Sequence, residues 1–207
     1  MAVRSSAVGE DGESASFAGQ YETYLNLVGA EAVVAAVARC WESAHSEGVL
    51  AYRRQRSQPT DNIQLAVLVQ QLVAADISVV AFSANPVTGD REEILINANW
   101  GLGESVVSGT VTPDTHVVRK LDLTVIERKI ADKRRMTVMV PNGVQEVTVP
   151  RPMRRQPVMS DAQAVEVARL ARTLETQMGW PADIECVYQG EKLYLLQCRP
   201  ISTMRNC

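Results

Sequence analysis

Two strand-like runs close the chain, Asp183-Ile184-Glu185-Cys186-Val187-Tyr188 and Leu193-Tyr194-Leu195-Leu196-Gln197-Cys198-Arg199-Pro200, joined by Gln189-Gly190-Glu191-Lys192. An antiparallel hairpin with one buried face tolerates a single register, so this stretch constrains the fold most tightly. Side chains alternate between faces along a strand. Asp183 and Glu185 therefore share one side of the first arm, and Gln197 and Arg199 one side of the second. A three-residue loop over Gly190 to Lys192 sets Glu185 opposite Gln197 and Asp183 opposite Arg199. A two-residue loop slips the pairing by one and sets Leu196 opposite Glu185. The three-residue loop is expected, because it gathers two carboxylates, an amide oxygen and a guanidinium on one patch. Such a patch suits Mg²⁺, which takes hard oxygen ligands from one or two carboxylates, and phosphate, which arginine grips with a planar fork. An edge ribbon with solvated charges would carry the same letters. Cys186 and Cys198 fall on the opposite side, where a buried wall is expected.

The remaining composition narrows the setting. At 207 residues, 46% hydrophobic and 22% charged, the chain can bury a real core as one domain or two small subdomains. A net charge of −3 gives no electrostatic footprint for nucleic acid or for an anionic membrane. The apolar run Leu65 to Val69 is far short of a membrane span, and the first residues carry no signal-peptide pattern, so a cytoplasmic protein is expected. Four cysteines without C-x-x-C spacing, and His45 and His116 without ligand-like neighbours, point to core thiols rather than a zinc site.

Taken in order, Ala2 to Ala7 reads as a strand. The Ser14-Ala15-Ser16-Phe17-Ala18-Gly19 loop that follows has the small residues and donors that let backbone approach phosphate oxygens, although such loops are also ordinary connections. Tyr21 to Val28 alternates like a strand. From Ala30 to about Gln58 the spacing of Val33, Val37, Trp41, Ala44, Val49 and Tyr52 is helical, with a break expected at Gly48. Strands are expected over Ile63 to Val73, Ser78 to Ser83 and Glu92 to Ala98. The segment Gln70-Gln71-Leu72-Val73 has the apolar flank and free backbone groups that an adenine edge needs, and also the look of any strand end. Trp100-Gly101-Leu102-Gly103-Glu104 follows a strand, and its glycines could carry the backbone past a ligand with Glu104 aimed into the site. Short β segments then run over His116 to Lys120, Thr124 to Ala131, Arg135 to Val140 and Val144 to Val149, with Pro141-Asn142-Gly143 a hairpin turn. The charges of Lys133-Arg134-Arg135 are expected in solvent. Ser160 caps a helix to about Met178, ended by Gly179-Trp180-Pro181.

Several of these motifs occur together in a known family. Arg4-Ser5-Ser6-Ala7 with Glu10-Asp11 and Ser16-Phe17-Ala18-Gly19, Gly101-Leu102-Gly103-Glu104 with Val107-Ser108-Gly109 and Pro113-Asp114, and Asp183-Ile184-Glu185 with Leu196-Gln197-x-Arg199-Pro200-Ile201 stand in colinear order. Together they resemble the nucleotide-binding domain of the phosphoenolpyruvate synthase and pyruvate phosphate dikinase family. The spacing is most similar to the rifampicin phosphotransferase branch.

The resemblance implies an α+β, ATP-grasp-like fold, an antiparallel or mixed sheet with flanking helices and a β-rich insertion, holding ATP and Mg²⁺. It spans residues 1–203 as a partial ATP-binding domain, with 204–207 as a tail. It makes Arg4 and Arg199 the catalytic arginines on the phosphates, Ser16 to Gly19 the covering loop, and Thr23 its neighbour. It makes Gln70, Gln71, Leu72 and Val73 the adenine flank, Asp183 a supporting charge, and Glu185 and Gln197 the Mg²⁺ ligands. In such enzymes ATP passes its β-phosphoryl group to a histidine on a swivelling domain and then to an acceptor, an antibiotic or a pyruvate-like molecule.

The family's lysine-bearing N-terminal half and its phosphohistidine domain have no counterpart in these residues. The expectation is a fragment or separately encoded half of an ATP-dependent phosphotransferase, incomplete alone and partnered in cis or in trans. Apolar surface bared in this way predicts a homodimer or poor solubility. A stand-alone nucleotide-binding or interaction protein without catalysis is the alternative.

Overall fold

The computed structural model describes residues 1–7, 11–12, 15–16, 22–55, 59–60, 63–104, 109, 111–141, 143–201 and 204. They form two compact units, residues 1–72 with 139–144, and residues 73–138 with 145–207. The fold is α+β, and among the described residues the registers of β1 with β4 and β5, of the small ribbon, and along the six-stranded sheet are antiparallel.

The first unit is built on β1 (Ala2–Ala7), with β2 (Asp11–Gly12) and β3 (Ala15–Ser16) forming a small ribbon beyond it. β4 (Thr23–Tyr24) follows, then α1 (Ala30–Ser43), α2 (Glu47–Gln55) and β5 (Leu65–Gln70). The three-stranded sheet runs β4-β1-β5. Ala36 and Cys40 of α1 bury against Val3, with Val33, Val37, Tyr24, Leu27 and Val67 around them. The helical stretch expected from Ala30 to about Gln58, with its break at Gly48, is two helices, Ala30–Ser43 and Glu47–Gln55. The break falls at Ala44 to Ser46 rather than at Gly48, which lies inside α2. Ala44 and His45 close i→i−3 turns onto Trp41 and Glu42, which ends the first helix while Gly48 continues the second. The alternation from Tyr21 to Val28 yields only the two-residue β4. Asn26 there takes a left-handed φ of 56° and donates its amide to the carbonyls of Val140 and Gly143.

The second unit contains β6 (Ile77–Phe82), β7 (Glu93–Trp100), β8 (Asp114–Arg119) and β9 (Val125–Lys129). Along the chain a hairpin follows, β10 (Arg135–Val140) and β11 (Gly143–Thr148), whose residues 139–144 belong to the first unit, then α3 (Asp161–Met178), β12 (Ala182–Gln189) and β13 (Lys192–Pro200) of the second. The order of the six-stranded sheet is β13-β12-β6-β7-β8-β9. Ser160 begins α3 with a full capping box onto Gln163, and Gly179, at φ 76°, ends it. Ala164, Val167, Ala168 and Ala171 form its buried stripe. Small alanines let the helix lie close on the sheet, where it covers Ile77, Val79, Ala81, Ile94, Ile96, Ala98, Ile184 and Cys186. Tyr188 is fully buried in this layer and donates its hydroxyl to Glu166 at 2.6 Å. Burial, then the Glu166 carboxylate, raises its phenol pKa.

Lys133 departs from expectation. Its side chain is not solvated but completely buried, 2.5 Å from Asp114 Oδ1. Asp114 also accepts from the backbone N–H groups of Ala131 and Val158, so the carboxylate ties two loops to the start of β8. A buried charge is tolerable only when paired and hydrogen-bonded in this way. Arg134 and Arg135 do lie at the surface, with Asp132 and Glu146. No described helix is long and apolar enough to cross a membrane.

Candidate functional site

The hairpin β12-β13 has the expected partners by an unexpected route. Glu185 faces Gln197 and Asp183 faces Arg199. The loop, however, has two residues, Gly190 and Glu191, because Gln189 pairs with Lys192. Gly190, at φ 59°, supplies the positive φ that a type II′ loop needs at its first position. Register is restored by a β-bulge between Glu185 and Cys186, where the partner strand steps from Gln197 to Leu195 and leaves Leu196 over. Asp76 anchors the loop, its carboxylate accepting from Gly190 N at 2.7 Å and its own N–H donating to Tyr188 O.

The hairpin is not a free ribbon. β12 is an interior strand, and its other neighbour is β6, with Asp183 opposite Phe82 and Glu185 opposite Val80. Directly paired residues share a face, so Asp183, Glu185, Gln197 and Arg199 stand on the sheet face away from α3. Arg199 Nε donates to Asp183 Oδ2 at 2.8 Å; the Asp183 side chain is 8% exposed and that of Arg199 23%. Glu185 and Gln197 are half-buried. On the other face Cys186 is buried and Cys198 packs against the core. Burial, reinforced by the nearby Glu185 charge, pushes the Cys186 thiol up to about 12, and burial likewise raises Cys198, so neither is a thiolate near neutrality.

In the first unit the register gathers a second set. Arg4 pairs with Thr23 on one side and Leu68 on the other, and Gln70 follows two residues along β5. Arg4, Thr23, Leu68 and Gln70 thus share the sheet face opposite to the one that carries Val3 onto α1. Arg4 and Gln70 are half-buried, Thr23 and Leu68 exposed. Gln71, Leu72 and Val73 come after the end of β5 and belong to no strand. The backbone of Ser16 lies in β3. The rest of the covering loop, Gly19 included, lies outside the described residues, as do Val107-Ser108, Asn142 and Thr203.

The Gly101-Leu102-Gly103-Glu104 turn packs closely against Thr137 of β10. A Cβ on Gly101, whose φ is 77°, would stand 2.3 Å from the Thr137 carbonyl oxygen, and Leu102 N donates to that same oxygen. Glu104 is exposed. A separate depression of about 580 Å³ is lined by Arg91, Lys120, Arg172, Glu175 and Trp180 and contains none of the expected site residues. Its cations are already engaged: Lys120 with Glu175, Arg172 with the carbonyls of Lys120 and Leu121, and Arg91 with that of Met204.

Sequence reasoning passed over Asn97 and Thr115. Asn97 pairs with Val80 and with Thr115, which places both in line with Glu185 and Gln197 on the same face. The signal available was an asparagine within the otherwise apolar run Ile94-Leu95-Ile96-Asn97-Ala98.

The chain is thus a small α+β protein whose helix-covered sheet carries carboxylate, amide and guanidinium groups on its other face. Residues 1–206 match the pyruvate phosphate dikinase AMP/ATP-binding domain, and the chain belongs to that family. It is 44% identical over 216 residues to a probable phosphoenolpyruvate synthase of Pyrococcus abyssi, an alignment covering 100% of this chain and 26% of the relative. A rifampicin phosphotransferase of a Streptomyces species is 42% identical over 204 residues, 98% of this chain and 23% of the relative. An uncharacterized phosphotransferase of Bacillus subtilis is 42% identical over 204 residues, 99% of this chain and 24% of the relative. The chain thus spans about a quarter of the length of these relatives.

Proposed function

We propose that this chain is the ATP- and Mg²⁺-binding module of a dikinase-type phosphotransferase, with an ATP-grasp-like fold over residues 1–203. The observation that carries the reading is the register of β12 and β13, which sets Glu185 against Gln197 and Asp183 against Arg199 on one sheet face of a chain from an AMP/ATP-binding family. The donor set fits Mg²⁺: a carboxylate and an amide oxygen are hard ligands, and magnesium completes its shell with water and phosphate oxygens. Glu185 and Gln197 would hold the ion, which when bound neutralises charge on the phosphates.

Asp183 grips the Arg199 guanidinium at Nε and fixes its plane for phosphate oxygens. Arg4 is assigned to the phosphates as well, Ser16 to Gly19 and Thr23 to the covering loop, and Gln70 to Val73 to the adenine. Phosphoryl transfer asks the protein mainly for positioning and charge stabilisation, which arginines and an oxygen-ligated cation supply. In this reading the β-phosphoryl group goes to a histidine of another domain, in cis or in trans, and then to an antibiotic or pyruvate-like acceptor. His116 cannot be that histidine, being fully buried beside α3. The reading also places the module in the cytoplasm. Exposed Val34 and Trp41 on one side of α1 favour self-association, which sedimentation at several concentrations would detect.

Calorimetric titration of ATP with and without Mg²⁺ into the chain, beside Glu185→Ala, tests the reading. Magnesium-dependent binding that Glu185→Ala weakens at least tenfold is the expected result. Binding indifferent to both the metal and the substitution would leave a nucleotide-binding or interaction protein without a dikinase site.

A further inference from the structure

We propose that Asn97 is a further binding residue of this sheet face, donating its side-chain amide to phosphate oxygens of a nucleoside triphosphate, and that Thr115 is the residue that positions it. The inference rests on the ATP-module reading and extends it to two residues on other strands.

Five strands contribute to one line across the sheet. Gln197 pairs with Glu185, Glu185 with Val80, Val80 with Asn97, and Asn97 with Thr115. Adjacent strands lie about 4.8 Å apart, so Glu185 and Asn97 stand about 10 Å from each other at the backbone with the short Val80 side chain between them. That interval accommodates a hydrated cation and the phosphate oxygens around it.

Asparagine is a poor strand former, and its immediate neighbours in β7, Ile96 and Ala98, are apolar, with Leu95 and Asn99 next along the same face. The Thr115 hydroxyl donates to Asn97 Oδ1 at 3.0 Å. This contact turns the amide so that Nδ2, which has no hydrogen-bond partner among the described residues, is the outward group. Asn99, two residues further on, shows the contrasting case: it is fully buried and spends its Nδ2 on the Arg135 carbonyl. Asn97 is only half-buried and keeps its donor available. A neutral donor suits this position, since a third carboxylate on the face of Asp183 and Glu185 would repel the phosphates it is meant to receive.

The test compares Mg²⁺-ATP and AMP in calorimetric titrations of the whole chain carrying Asn97→Ala, Asn97→Asp, Thr115→Val, Thr115→Ser or Glu185→Ala, with thermal melting as the folding control. Asn97→Ala should weaken Mg²⁺-ATP about tenfold, the worth of one charge-assisted hydrogen bond, and AMP less than twofold. Asn97→Asp, nearly isosteric, should weaken Mg²⁺-ATP more than alanine does. Thr115→Val should cost about threefold and Thr115→Ser restore binding, which a purely structural role for the hydroxyl would not produce. Glu185-dependent binding that both Asn97 variants leave unchanged overturns the inference alone. So does tighter binding by Asn97→Asp, which would make the position a metal ligand, or an equal loss for ATP and AMP. A wild-type chain that binds neither nucleotide overturns the ATP-module reading and this inference with it.

Discussion

Arg199 Nε donates to Asp183 Oδ2 at 2.8 Å, between residues that face each other directly across β12 and β13. The carboxylate is nearly buried, so the pair holds the guanidinium in one plane on the polar sheet face. Arg199→Ala leaves Asp183 without this cation and should cost about 2 kcal/mol of stability, the scale of a hydrogen bond to a charged group. It should also weaken Mg²⁺-ATP more than tenfold. Arg199→Lys keeps the charge without the fork, and should recover stability better than affinity. Urea denaturation and calorimetry separate the two effects, and undiminished affinity in Arg199→Ala would sink the phosphate role.

Asp114 and Lys133 form the buried ion pair of the second unit. Asp114→Ala removes the counter-charge of the ammonium, which keeps the Ala131 carbonyl, and the acceptor of two backbone donors, and should cost about 3–5 kcal/mol. Lys133→Met should cost less, because the carboxylate keeps the N–H groups of Ala131 and Val158. Equilibrium unfolding of both variants checks the order, and the reverse order would contradict this account of the anchor.

His116 predicts a pH dependence. It is fully buried, neither ring nitrogen has a hydrogen-bond partner among the described residues, and burial, then Arg128, lowers its pKa below the ordinary 6.5 against the opposing pull of Asp114 and Asp161. The unfolded chain therefore takes up the proton first. Stability from this group is complete above about pH 6.5 and falls as the pH drops toward the lowered folded-state value, by at most about 1.4 kcal/mol per pH unit. Denaturation between pH 5 and 8 should show this slope in the wild type and a flatter one in His116→Phe. Identical slopes would assign the effect to other groups.

Gly101 and Gly103, two positions apart in the same turn, should behave differently. Gly101→Ala meets the Thr137 carbonyl at 2.3 Å from a backbone φ of 77°, and should destabilise the second unit by more than about 2 kcal/mol. A Cβ on Gly103 reaches only the Ser78 Cβ at 3.6 Å, an ordinary contact, so Gly103→Ala should be within about 1 kcal/mol of wild type. Thermal melting of the two variants decides, and equal tolerance would remove the close approach as the reason for glycine at 101.

Local patterns were enough to find most elements. The period-two runs located β1, β6, β10 and the two arms of the C-terminal hairpin, and the serine-to-glycine frame around residues 160–179 located α3. The break between α1 and α2 was misplaced because a single glycine is weaker evidence than the backbone turns that end a helix. The burial of Lys133 was illegible, since its partner lies nineteen positions away in sequence and nothing local marks the pair.

The sequence by itself determined which residues can share a face, because strand alternation is a local property of the backbone. It thereby determined that Asp183 and Glu185, and likewise Gln197 and Arg199, would stand on one side of their strands. Only the tertiary structure decided how the two arms meet. The two-residue loop alone would have set Leu196 against Glu185, and the bulge at Leu196 moves Gln197 into place by leaving one residue unpaired. Tertiary pairing likewise placed β12 beside β6, and so extended the polar line to Asn97 and Thr115, residues 70 to 88 positions earlier than Glu185 in the chain. Such long-range neighbours are chosen by the packing of whole faces against α3, which no short stretch encodes.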